Sequence, residues 1–132
     1  MLASRERLDL KADPGELATA RRFADAAAAR FGLGDQERYE FTFAVNEAVS
    51  NAIEHGHPSL DGTICIHVAA ENGALVFEVE DHGTFAPGPP AIDTLPERGR
   101  GLAFMAATMD EVDVRRGTSG TVVRLCKRRA AA

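Results

Sequence analysis

Residues 63–80 read TICIHVAAENGALVFEVE, and this stretch carries the clearest structural signal in the chain. From Thr63 to Ala70 and from Leu75 to Glu80 the residues follow a period close to two, which is typical of β-strands. Between these runs lies Asn72-Gly73, a dipeptide that favours the tight turn of a hairpin. We therefore predict an antiparallel hairpin here and place the other elements around it.

A strand and a helix are predicted at the N-terminal end. Between Arg5 and Ala12, leucines alternate with charged residues, as in a strand with one buried face. Asp13 then supplies a helix N-cap, and Pro14 suits the first helical position. This helix is expected to run to about Phe31 and to end at Gly32, because glycine favours helix C-termini.

A longer helix is predicted from about Asp35 to His55, where Gly56 and Pro58 would stop it. Apolar residues recur at helical spacing and form one face, namely Phe41, Val45, Ala48, Ala52 and Ile53.

The C-terminal half combines a loop, a short helix and a second hairpin. Residues 81–100 are rich in proline and glycine, so we expect a long loop of the kind that often serves as a lid. Leu102 to Met109 can form a short helix. Glu111 to Arg115 and Thr121 to Lys127 are expected to pair around the turn from Gly117 to Gly120.

The predicted order is strand, helix, helix, two strands, loop, helix, two strands. It indicates one α+β domain over residues 1–132, a two-layer sandwich with helices on one face of a mainly antiparallel mixed sheet. Because the strands come in adjacent hairpins, a doubly wound parallel sheet is disfavoured.

Composition and charge narrow the class of protein. With 132 residues, 45% of them hydrophobic and 27% charged, the chain resembles an ordinary globular domain. The net charge of −5 argues against direct nucleic-acid binding, and we interpret the run Lys127-Arg128-Arg129 as a solvated end.

No signal peptide or membrane-spanning stretch is recognised, which predicts a cytoplasmic protein. Cys65 and Cys126 lie in strand-like runs, where buried reduced thiols are favoured over a redox or metal role.

Three groups of residues are candidates for chemistry, and the first lies on the longer helix. Glu47, Asn51 and His55 are spaced four apart, so they share one stripe beside the apolar face. Such residues often form only an exposed polar helix edge. In the functional interpretation, Asn51 offers a neutral oxygen to Mg²⁺, and Glu47 could accept a proton one turn away.

The second group is Glu80-Asp81-His82-Gly83 at a strand end. Asp and Gly at such a position can simply make a turn. Beside a pocket, however, the Asp81 carboxylate could accept the exocyclic amine of adenine, and Gly83 would let a flat base lie close to the backbone.

The third group, Arg98-Gly99-Arg100-Gly101-Leu102, lies between the long loop and the short helix. A flexible hinge is one interpretation. A phosphate site is the other, because glycines that open a helix present backbone N–H groups to an anion, and the arginines add positive charge.

Taken in order, these groups resemble the N box and the two glycine boxes of the GHKL ATPase superfamily. The resemblance implies the Bergerat ATP-binding fold, whose helix-on-sheet layout agrees with the predicted one. More narrowly, the sequence is similar to the anti-sigma factor serine kinases of the RsbW and SpoIIAB type. Residues 46–56, 99–102 with 109–112, and 120–123 carry the similarity, which extends over nearly the whole chain.

The resemblance implies a role for each candidate residue. Asn51 would coordinate Mg²⁺, and Glu47 would take the proton from a substrate serine. Asp81 would bind the adenine amine. The remaining implied contacts are Gly83 beside the base, Thr121 to the base through water, Arg98 near the terminal phosphate, and a phosphate cradle of Gly99, Arg100, Gly101 and Leu102.

The resemblance also implies an activity and partners. The leading interpretation is an ATP- and Mg²⁺-dependent protein serine kinase. It would phosphorylate a STAS-type anti-anti-sigma protein and bind a sigma factor in competition, as a homodimer. The alternative is a nucleotide-gated module that sequesters a partner with little or no kinase activity. A histidine kinase catalytic domain and larger gyrase-like or chaperone ATPases fit less well.

Overall fold

Two long helices lie on one face of a five-stranded sheet, with the hydrophobic core between the layers. The computed structural model describes residues 5–55, 62–81, 103–117 and 120–129. The elements are β1 Glu6–Lys11, a 3₁₀ turn Pro14–Glu16, α1 Leu17–Phe31, α2 Asp35–His55, β2 Thr63–Glu71, β3 Ala74–Asp81, β4 Glu111–Gly117 and β5 Gly120–Arg128. Residues 103–108 are also helical. No helix within these ranges is both long and apolar enough to cross a bilayer.

The strand order across the sheet is β1-β2-β3-β5-β4, and each neighbouring pair is antiparallel. In the β2–β3 hairpin, Asn72 and Gly73 have φ angles of 50° and 78°, as a type I′ turn requires. The predicted α+β fold is confirmed. A parallel pair, which a mixed sheet would contain, does not occur among the described strands, because hairpin neighbours pair antiparallel and β1 also runs against β2.

Local signals set the ends of α1. The Asp13 side chain accepts a hydrogen bond from the Gly15 backbone N–H at 2.8 Å. Pro14 opens a 3₁₀ turn, and the α-helix itself begins only at Leu17. The helix therefore starts later than the predicted first position at Pro14. Gly32 ends α1 with a φ of 93°, a left-handed conformation that favours glycine.

The core forms between the helices and one face of the sheet. Along β3, Leu75, Phe77 and Val79 are almost completely buried on this face. The Phe77 ring packs edge-on against Phe41 of α2, with 6.3 Å between ring centroids. α1 contacts β2 and β3, and α2 contacts β3 and β5. Because side chains alternate along a strand, Asp81 lies on the same helix-covered face as Val79.

Both cysteines are buried free thiols, as predicted. Burial raises the pKa of the Cys65 thiol to about 11. A thiol this weakly acidic carries little thiolate at neutral pH, which favours a structural role over a reactive one.

Candidate functional site

Glu47 and Asn51 lie along the margin of the buried face of α2. Their side chains are half-buried, whereas the next residues, Ala48 and Ala52, are buried against the core. The carboxylate and the amide therefore stand at the edge of the helix–sheet layer. His55 is the last residue of α2, and its side chain lies outside the described part of the structure.

Asp81 and Thr121 meet where β3 ends and β5 begins. The two residues are directly opposite each other in the antiparallel register, and the Thr121 N–H donates to Asp81 Oδ1 at 3.3 Å. Asp81 is only 5% exposed, although it carries a carboxylate. A carboxylate has two oxygens that each accept more than one donor, so Asp81 is an acceptor of the kind that binds an N–H group.

α2 packs against both β3 and β5, the strands that carry Asp81 and Thr121. The structure therefore brings Asp81 and Thr121 together, and it lays the helix with Glu47 and Asn51 over their strands. The other predicted site residues lie outside the described residues and stay predictions: Gly83, Arg98, Gly99, Arg100, Gly101 and Leu102.

The interpretation of the basic run as a solvated end is wrong for Lys127. This residue is 9% exposed, and its ammonium group donates to Glu40 Oε1 on α2 at 2.9 Å and to the Thr108 carbonyl. The hydrogen bond from Lys127 lowers the pKa of the Glu40 carboxyl. The alternation of side chains along β5 could have predicted this burial, because Lys127 lies on the same face of the strand as the buried Val123 and Leu125. The other two residues of the run are exposed.

Comparison with known proteins identifies the family. The profile of the histidine kinase-like ATPase domain matches residues 10–127. The chain therefore belongs to the family of histidine kinase-like ATPase domains.

Within this family, the chain is similar to two kinds of regulator. It is 29% identical over 136 aligned positions to the serine-protein kinase RsbW of Bacillus pumilus (strain SAFR-032), covering 91% of this chain and 83% of the relative. It is 37% identical over 101 positions to the anti-sigma F factor of Geobacillus stearothermophilus, covering 69% of each. These relatives confirm the resemblance that the motifs indicated.

Two solved structures share the fold. The RsbU and RsbW domains of Rv1364c from Mycobacterium tuberculosis match 98% of this chain with a TM-score of 0.74 at 23% identity. This chain spans 35% of that structure. The histidine kinase domain of a blue-light activated histidine kinase from Erythrobacter litoralis EL346 matches 86% of the chain, with a TM-score of 0.59 at 20% identity.

Proposed function

We propose that this chain is an ATP- and Mg²⁺-dependent protein serine kinase that acts as an anti-sigma factor. The observation that carries the proposal is the buried Asp81 carboxylate, which accepts the Thr121 N–H on the face covered by the helices. The helix that packs on these two strands also carries Glu47 and Asn51. The names of the relatives, a serine-protein kinase and an anti-sigma factor, support this choice of activity.

The chemistry of the described residues fits a bound ATP·Mg²⁺. The Asp81 carboxylate is a hydrogen-bond acceptor at the end of β3, which suits the exocyclic amine of adenine. Asn51 presents an amide oxygen at the half-buried edge of α2, and Mg²⁺ usually takes one or two protein oxygens beside water and phosphate. The further proposed contacts are Gly83 to the base, Arg98 to the terminal phosphate, and the cradle of Gly99, Arg100, Gly101 and Leu102.

Bound ATP supplies the phosphoryl group that is transferred. The Glu47 carboxylate accepts the proton of the substrate serine hydroxyl. The serine oxygen forms a bond to the terminal phosphorus as the bond from that phosphorus to the bridging oxygen of ADP breaks. Phosphoryl transfer depends mainly on positioning and charge stabilisation, so a base, a cation and a cradle of N–H groups are sufficient.

The proposed substrate is a STAS-type anti-anti-sigma protein, and the proposed competing partner is a sigma factor. The name of the anti-sigma F factor supports the sigma factor, and the name of the serine-protein kinase RsbW supports a protein substrate. We further propose a homodimer in the cytoplasm, where sigma factors act, without direct contact to nucleic acid or membrane.

The test is incubation of the purified chain with Mg²⁺, a STAS-domain protein from the same organism and ATP labelled at its terminal phosphate. We expect label on a serine of the STAS-domain protein, and none when Mg²⁺ is chelated. Binding of ATP and the STAS-domain protein without any transfer would overturn the kinase assignment and favour the nucleotide-gated sequestering module.

A further inference from the structure

Three aromatic side chains, two exposed and one half-buried, form a continuous row of ring contacts between α2 and the helical segment 103–108. Tyr39 and Phe43 on α2 are 61% and 39% exposed, and in the described part of the chain they are the only large hydrophobic side chains that are exposed. Their ring centroids are 6.2 Å apart. Phe104, in the helical segment 103–108, lies 4.4 Å from the Phe43 ring. We call these three residues the aromatic ridge.

The fold does not explain why Tyr39 and Phe43 are exposed. Core-facing positions of α2 such as Phe41 and Val45 are completely buried, so the helix is anchored without Tyr39. Single exposed apolar side chains are common, but a contiguous group of aromatic rings is typical of a protein–protein contact. Aromatic residues also supply a large part of the binding energy at such contacts.

The position of the ridge relative to Glu47 indicates which partner covers it. Tyr39, Phe43 and Glu47 are spaced four residues apart, so they are successive neighbours along one side of α2. With a rise of 1.5 Å per residue, the Phe43 and Glu47 backbones are separated by about 6 Å along the helix axis. A folded protein whose serine reaches the Glu47 carboxylate would therefore lie over the ridge as well.

The charges around the ridge define the complementary surface. Asp35 and Glu47 stand one helical turn before Tyr39 and one turn after Phe43. Two cations in the described part of α2 and β5 are engaged within the fold, because Arg38 donates to Asp25 at 2.6 Å and Lys127 donates to Glu40. The ridge thus has acidic groups at both ends, which favours a partner surface that is apolar at its centre and carries Lys or Arg at its border.

We propose that the aromatic ridge is the docking surface for the serine-bearing substrate protein, which binds through an apolar patch bordered by basic residues. The identity of this partner rests on the proposed kinase function. The ridge binds the substrate protein and does not contact the nucleotide.

The experiment compares Tyr39→Ala with wild type, using as probe the STAS-domain protein that serves as phosphate acceptor. We expect the KM for this protein and its Kd in calorimetry to rise about 10- to 30-fold, as for an aromatic residue central to an interface. The kcat at saturating substrate and the Kd for ATP should stay unchanged. Tyr39→Phe, which keeps the ring, should restore most of the affinity. Arg22→Ala, at an exposed position of α1, is the control and should behave as wild type.

The outcomes separate this proposal from the kinase function. Unchanged KM and Kd in Tyr39→Ala would overturn the docking surface while leaving the kinase intact. If wild type binds the STAS-domain protein without phosphorylating it, the kinase function fails, but weaker binding by Tyr39→Ala still supports docking. A wild-type chain that binds no STAS-domain protein would overturn both. Loss of a dimer by Tyr39→Ala in sedimentation would make the ridge a contact between copies and overturn substrate docking.

Discussion

Among single residues, Asp81 is the most informative part of the site. A turn residue at the protein surface does not need to be buried, yet this carboxylate is 5% exposed and lies on the same face as Val79. Burying a charged group is unfavourable unless partners compensate it. The Thr121 N–H is one such partner, and it holds the carboxylate at the end of β3 on the helix-covered face, where the proposed adenine contact would form.

Asp81→Asn is expected to weaken ATP binding about 10- to 150-fold, because a charge-assisted hydrogen bond of about 1.5–3 kcal/mol is lost. The amide oxygen can still accept the Thr121 N–H, so thermal unfolding should change little. Calorimetric titration with ATP measures the affinity. Asp113→Asn, which alters a carboxylate paired with Arg115 on β4, is the control. Unchanged ATP affinity in Asp81→Asn would contradict the adenine assignment.

Asn51→Ala should remove a Mg²⁺ ligand without touching the base contacts. We expect the Mg²⁺ concentration for half-maximal ATP binding to rise several-fold, while the affinity for ATP in the presence of chelator stays the same. Titrations with and without Mg²⁺ measure the two quantities. An equal loss of affinity in both conditions would show that Asn51 acts on the nucleotide in some other way.

His67 should make stability depend on pH. Burial lowers its pKa below the ordinary value of 6.5, so the folded chain binds this proton more weakly than the unfolded chain. The contribution to stability is therefore complete above about pH 6.5 and is lost as the pH falls through and below that value. Urea unfolding from about pH 7 to pH 5 should show a falling free energy of unfolding. His67→Gln should make this fall smaller, and an identical slope in the variant would contradict the prediction.

At the scale of secondary structure elements, local signals predicted the boundaries well. α2 was predicted from Asp35 to His55 and has those bounds. Gly32 and Asn72-Gly73 adopt the left-handed conformations that their residue types favour. The sheet order was not predicted, because the place of β5 between β3 and β4 depends on contacts between residues far apart in the chain.

Lys127 joins three elements, and its loss should destabilise the fold. Lys127→Ala would leave the Glu40 carboxylate and the Thr108 carbonyl without their donor. We expect the free energy of unfolding to fall by about 1–3 kcal/mol, less than for a fully buried pair, because the Glu40 side chain is 20% exposed. Urea denaturation measures this loss.

The neighbouring exposed residue supplies the control for this prediction. Arg128→Ala is expected to change the free energy of unfolding by no more than about 0.5 kcal/mol. Equal losses in Lys127→Ala and Arg128→Ala would mean that the buried ion pair contributes nothing specific.

At the scale of the whole molecule, the site depends on pairings that no local pattern contains. Asp81 and Thr121 are 40 residues apart in the sequence, and the β3–β5 pairing brings them together. Both residues were predicted as parts of one site only through the family resemblance, which rests on the order of the motifs. The aromatic ridge was missed for the same reason, because Phe43 meets Phe104 only in the folded chain.

The central claim is that the chain transfers phosphate from ATP to a serine with Glu47 as the base. Glu47→Gln keeps the size of the side chain but removes proton acceptance, and a positioned general base contributes about 10²–10⁴-fold to the rate. Glu54→Gln, on the same helix and hydrogen-bonded to Ser50, is the matched control.

The most direct test is single-turnover phosphate transfer to the STAS-domain protein, measured beside the Kd for ATP·Mg²⁺. We predict that Glu47→Gln transfers phosphate about 10²–10⁴-fold more slowly at saturating substrate, while the Kd for ATP·Mg²⁺ stays near wild type. Transfer at the wild-type rate by Glu47→Gln would contradict the account.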